Sequence, residues 1–260
     1  MAEKILDEID NSPIPYRNAR NLAGWAVMGF FIAMLLGGDL LMMFFGGFTA
    51  FLIMGFSKLL SRGGLPGFFH NVIGGFLSTM PAAIAYDFSS SIGHSINPSQ
   101  LIATGLIVLL AGLTLVQSLL DGVTGSMVNA SARFFQAMLG TGGIVAGVAM
   151  GVSVSNLVGM PLPPVELLPA DAAYSNGWLT TFGGAMAAAA YAVSCFAERS
   201  AVILSFITAA MGSLIFYLVL TPLGAGRLLA ITACSLAVGL AGGLISRRFL
   251  INPVITAVAG

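Results

Sequence analysis

Residues 101–152 read LIATGLIVLLAGLTLVQSLLDGVTGSMVNASARFFQAMLGTGGIVAGVAMGV, and the fold is decided there. Two apolar segments within it, 101–120 and 134–152, are each long enough to cross a hydrocarbon core of roughly 30 Å at about 1.5 Å per helical residue. Both read as membrane-spanning helices. Between and inside them lies nearly every polar group that a lipid-facing helix avoids: Thr114, Gln117, Ser118, Asp121, Asn129, Ser131, Arg133, Gln136 and Thr141. Function is expected at these residues.

The rest of the chain has the same character. It is 57% hydrophobic and only 8% charged over 260 residues, more apolar than a water-soluble core of this length requires. The fold class is therefore an all-α polytopic membrane helix bundle. Thirty-three glycines suit helices that pack closely in lipid, where small residues replace the hydrophobic effect as the source of association. Ten basic residues balance ten acidic ones, with no basic run to neutralise a row of phosphates, so nucleic acid is excluded as a partner. Cys195 and Cys234 lie in apolar segments without CxxC spacing or a neighbouring histidine, and read as small buried residues rather than a disulfide, zinc ligands or a nucleophile.

Residues 1–20 form a polar, acidic cytoplasmic segment ending in Ser12-Pro13-Ile14-Pro15, with no signal-peptide cleavage site before the apolar tract that follows. Spans are expected at 22–36, 40–57 and 68–86, then at the two segments above, then at 178–196, 201–220 and 228–246. Residues 249–260 begin a ninth. The third span carries His70 and Asn71 near its start and Pro81 inside, and the loops 86–100 and 153–177 hold no Lys or Arg. With the N-terminus inside, nine of the ten basic residues fall in inner loops and only Arg227 falls outside, which supports the count of eight spans plus a partial ninth. The domains are then the segment 1–20, a first membrane domain of five spans (21–152), an external loop (153–177) and the start of a second membrane domain (178–260). LIATGLIVLLAG at 101–112 and FLINPVITAVAG at 249–260 end alike, a weak sign of an inverted repeat of five-helix units.

The run RGGLPGFFHNVIGGFLSTMPA at 62–82, followed by LAGLTLVQSLLDGVTGSMVNASARFFQAMLGTGGIVAGVAMGV at 110–152, resembles the threonine/serine exporter family of bacterial inner-membrane proteins. The similarity covers about residue 5 to the C-terminus. It implies a ten-helix carrier with a soluble segment ahead of the first helix, exporting small hydroxy amino acids by antiport with protons across the cell inner membrane, without cofactor or metal. The implied partners are the amino acid, protons, the bilayer, and a second copy or a completing membrane subunit. Three departures stand out. Ala111-Gly112 replaces the family's Pro-Gly, so a helix break there depends on glycine alone; most of the soluble segment is absent; and the chain stops where the family's second domain would continue, as a fragment would.

Asp121 matches the aspartate of the family's LxxxxxDxxxG run. A carboxylate at a cavity edge can bind and release a proton as its hydration alternates, which makes Asp121 the proton-coupling candidate. The competing reading is a helix-terminal carboxylate facing water or paired with Arg133. Arg133, with Gln136 one turn later, could clamp a substrate carboxylate through its two parallel donors; as an inner-loop arginine it could equally be a topology anchor. Gln117, Asn129 and Thr141 complete the substrate-binding candidates, and helix–helix hydrogen bonds would explain them as well. His70 could relay protons but reads more readily as a packing histidine. Gly140, Gly142, Gly143, Gly147 and Gly151 read as packing positions.

Enzyme readings do not hold. No GxSG-type run for an intramembrane serine protease occurs. Tyr86-Asp87 and Gly37-Gly38-Asp39 stand in the wrong order for an aspartyl intramembrane protease, the latter lacks the first glycine of GxGD, and the topology puts both, like His94, at the outer surface.

Overall fold

The computed structural model describes residues 18–92, 96–109, 112–163, 177–197, 199–221 and 226–249. Among them all regular structure is helical: α1 (Asn18–Leu35), α2 (Leu40–Arg62), α3 (Gly67–Ile92), α4 (Pro98–Leu109), α5 (Gly112–Val123), α6 (Met127–Leu157), α7 (Gly177–Ser194), α8 (Arg199–Leu220) and α9 (Arg227–Phe249). The N-terminal segment with its proline pair, Ala111, His94, most of the 153–177 loop and the incipient ninth span lie outside the described residues.

The surface is the inverse of a water-soluble protein's. Phe44, Phe48, Phe135, Leu119, Leu236 and Trp178 point outward, while Thr49, Ser78, Thr79, Thr104 and Ser205 are fully buried. In lipid this arrangement costs little, because exposed apolar side chains meet acyl chains and small hydroxyls can turn back on the backbone. Thr49 donates to Phe45 O at 2.8 Å, Ser78 and Thr79 to Gly75 O at 2.7 and 3.0 Å, and Thr104 to Gln100 O at 2.9 Å. The buried hydroxyls thus leave interhelical space free for close backbone approach.

Helix α4 is the hub of the first half, packed on α1, α2 and α3. Gly105 makes this possible: a Cβ there would sit 2.5 Å from Ser78 Cβ. Gln100 Nε2 donates across to Leu36 O at 3.2 Å, satisfying a carbonyl at the end of α1. Helix α3 packs on α6, α5 on α6, α1 on α7, α7 on α8 and α8 on α9. Asn21 Nδ2 donates to Ser194 O at 2.6 Å, tying the start of α1 to the end of α7 and joining the two halves.

Each expected span overlies a helix, with corrections. The fourth is not one rod: Pro98–Leu109 and Thr114–Val123 differ in direction by 48°. The expected 86–100 loop is shorter, because α3 runs to Ile92, and the 153–177 loop starts later, because α6 runs to Leu157. Nor is the link between the fourth and fifth spans a long loop. Gly125, at φ 90°, and Ser126 make a tight turn, so that Asn129, Ser131 and Arg133 already lie on α6. Four described helices are long and apolar enough to cross a membrane, and the bent pair makes a fifth. The apolar parts of α1 and α9 are shorter. Cys195 and Cys234 were expected to be buried; Cys195 is exposed and Cys234 half-buried. The cause at Cys195 is the end of α7 at Ser194, after which the chain turns through Phe196 at φ 57°.

Candidate functional site

Two groups of polar side chains come together around the bent pair. The first lies between α5 and α6. On α5, Gln117, Ser118 and Asp121 fall within about one helical turn and so share a face, and α6 runs against that face. Arg133 Nη1 donates to Gln117 Oε1 at 3.0 Å, and Arg133 Nε lies 3.3 Å from Asp121 Oδ2. Ser118 Oγ donates to Ala130 O at 2.7 Å, a second cross-link between the same helices. The Arg133 side chain is 42% exposed and that of Asp121 24%, so the protein covers the pair only in part. The contact with Asp121 is ionic without hydrogen-bond alignment. Oδ2, itself buried, is left without a hydrogen-bond partner among the described residues.

The second group lines a cavity of about 600 Å³ beside the break. Val108 and Leu109 from the end of α4 and Thr114 from the start of α5 form one wall. Ser57 of α2, His70 and Asn71 of α3 and Gln136 of α6 complete its polar lining. His70 Nε2 is buried and has no hydrogen-bond partner among the described residues. The cavity follows from the sequence locally. Where α4 stops and α5 departs at 48°, the second helix cannot fill the volume a straight span would occupy, and polar groups on the neighbouring helices face that space.

The α3–α6 seam holds the wall in place. A Cβ on Gly143 would lie 2.9 Å from Phe68 O, one on Gly151 2.6 Å from Thr79 Cβ, and one on Gly147 would collide with Val72 O. One on Gly140 would lie 2.8 Å from Asn71 Nδ2, so this glycine seats the amide that borders the cavity. Gly142 faces open space and takes no part in the packing.

The six residues singled out from the sequence therefore separate. Gln117, Arg133 and Asp121 form one cluster, and Gln136 lines the cavity. Asn129 and Thr141 are exposed on α6 and belong to neither group, Thr141 donating to Ala137 O of its own helix at 2.9 Å. The residues that sequence reasoning underweighted are His70, Asn71 and Ser57. Their signal was present in the first two, which are adjacent polar residues inside an apolar run, but only the fold shows that they face Gln136 and Thr114 across a space.

The family described as "Putative threonine/serine exporter" matches residues 1–155. A threonine/serine exporter of Corynebacterium glutamicum is 50% identical over 260 residues, covering 100% of this chain and 53% of the relative. A "Probable threonine/serine exporter" of Mycobacterium tuberculosis is 31% identical over 276 residues, covering 100% of this chain and 49% of the relative. The chain thus spans about half the length of the relatives it matches. No solved structure matches it. A multi-pass helical membrane chain with this match over more than half its length belongs to the threonine/serine exporter family.

Proposed function

We propose that the chain is a secondary transporter that exports small hydroxy amino acids, L-threonine and L-serine, across the bacterial inner membrane in exchange for protons. The observation that carries this reading is the largely apolar cavity with a few polar groups beside a broken helix, the arrangement by which carriers bind solutes at membrane depth while keeping irregular backbone away from lipid. Two relatives with threonine/serine exporter names support the substrate class. The N-terminus is cytoplasmic, the nine described helices make eight crossings with α4 and α5 together forming one, and the halves form an inverted repeat. In this topology the cavity, near Lys58 and the start of α3, opens on the inner half and is loaded from the cytoplasm, as export requires.

Arg133 is the proposed carboxylate clamp and Asp121 the proton site. The two roles are linked by the ion pair: a substrate carboxylate that takes the guanidinium displaces Asp121 from it. Gln117 and Gln136 extend this donor set along the path. Uptake of labelled L-threonine and L-serine into proteoliposomes, with and without an imposed pH gradient, tests the reading beside Asp121→Asn. Saturable, gradient-driven uptake that Asp121→Asn uncouples is expected. A second reading is a membrane subunit that transports only with another chain. It predicts no uptake by the chain alone and uptake on co-expression with the partner.

A further inference from the structure

We infer that the cavity beside the α4–α5 break is the ammonium subsite of the transported amino acid, with His70 Nε2 as the acceptor and Asn71 and Gln136 holding the polar groups beside it. This rests on the transporter reading above and adds to it a residue and a chemistry.

Three observations carry it. First, Nε2 is buried and unpartnered among the described residues, on a side chain that lines a space of about 600 Å³. A neutral imidazole with its proton on Nδ1 presents Nε2 as an acceptor, and a buried acceptor without a partner is a cost the fold does not otherwise recover. An ammonium group, with three donors, supplies what is missing. Second, the volume falls within the roughly 300–1,000 Å³ usual for small-molecule sites, and its walls combine apolar surface from Val108 and Leu109 with a few convergent polar groups. Third, the lining carries no Asp, Glu, Lys or Arg. A site without formal charge suits a zwitterion with a short polar side chain better than a cation or an anion. The amides of Asn71 and Gln136 each offer both donors and an acceptor, enough for the substrate's hydroxyl.

The charged groups on the surrounding helices are Lys58 and Arg62 of α2, Asp121 of α5 and Arg133 of α6; α4 brings none, and α3 itself adds only Tyr86 and Asp87 toward its far end. None of these lines the cavity.

The test uses the purified full chain in nanodiscs with labelled L-threonine. His70→Ala is expected to weaken binding by roughly ten- to a hundredfold, the loss of one charge-assisted hydrogen bond. His70→Gln, which keeps an acceptor, is expected to recover most of that loss. A second measurement does not depend on the variants folding. The chain has two histidines, so ¹⁵N-histidine spectra with His94→Gln leave one set of signals, and L-threonine is expected to shift its Nε2 resonance. Wild-type binding with an unmoved resonance, or with an affinity that His70→Ala leaves unchanged, overturns the His70 subsite and leaves the transporter reading standing. Wild-type protein that binds neither amino acid overturns both.

Discussion

Arg133 looked from its position alone like a topology anchor or a substrate clamp, and its surroundings give it a third role as the link between α5 and α6. Its exposure keeps the pair with Asp121 weak, about 0–1 kcal/mol once solvent screening is allowed for. Arg133→Gln should therefore shift unfolding in detergent by no more than about 1 kcal/mol while sharply reducing threonine flux; a large loss of stability with flux retained would make the residue a structural link only. Glycine shows the opposite balance. Gly147→Leu forces a side chain into the Val72 carbonyl and should destabilise the α3–α6 seam by about 1–3 kcal/mol or more. Gly142→Leu, into open space, should stay within roughly 0.5 kcal/mol. Thermal unfolding of the two variants side by side checks the pair.

At the scale of elements, the break between α4 and α5 matters most. Helix α4 is almost wholly buried, whereas α5 leaves Leu119, Leu120 and Val123 exposed on the face away from Asp121. A glycine at the start of α5 is about 1 kcal/mol less favourable in a continuous helix than alanine. Gly112→Ala should favour a straighter span, narrow the cavity and lower transport without loss of folded protein. Flux measured against expression level in the same membranes checks this; unchanged flux would mean that the bend does not form the path. At 31 residues α6 reaches about 46 Å, longer than a hydrocarbon core of roughly 30 Å.

For the whole molecule, the proposed topology makes a direct prediction. In a background with Cys195 and Cys234 replaced, Asp39→Cys in the exposed α1–α2 turn should react with an impermeant maleimide from outside intact cells. Leu65→Cys, 45% exposed between α2 and α3, should react only after permeabilisation. The reverse pattern would invert the molecule and turn the cavity toward the outside. Both positions lie on tight links between adjacent packed helices, so each reports the side on which its helix pair ends.

Membrane character, helical class and the approximate place of each helix were legible in the chain itself, because lipid enforces them locally: an apolar run must satisfy its own backbone wherever it sits. The 3.6-residue period likewise put Gln117 and Asp121 on one face of α5 before any fold was known. The family, too, could be read from contiguous motifs. Which polar residues meet could not be read in this way. Arg133 could have turned to solvent, and His70 could have been a satisfied packing residue. Their partners lie on other helices, 12 residues away in sequence for Asp121 and on a different wall of the cavity for His70 and Gln136. The 48° bend and the glycine seam that seats Asn71 against Gly140 set those distances, and both arise from packing between helices rather than from any one of them.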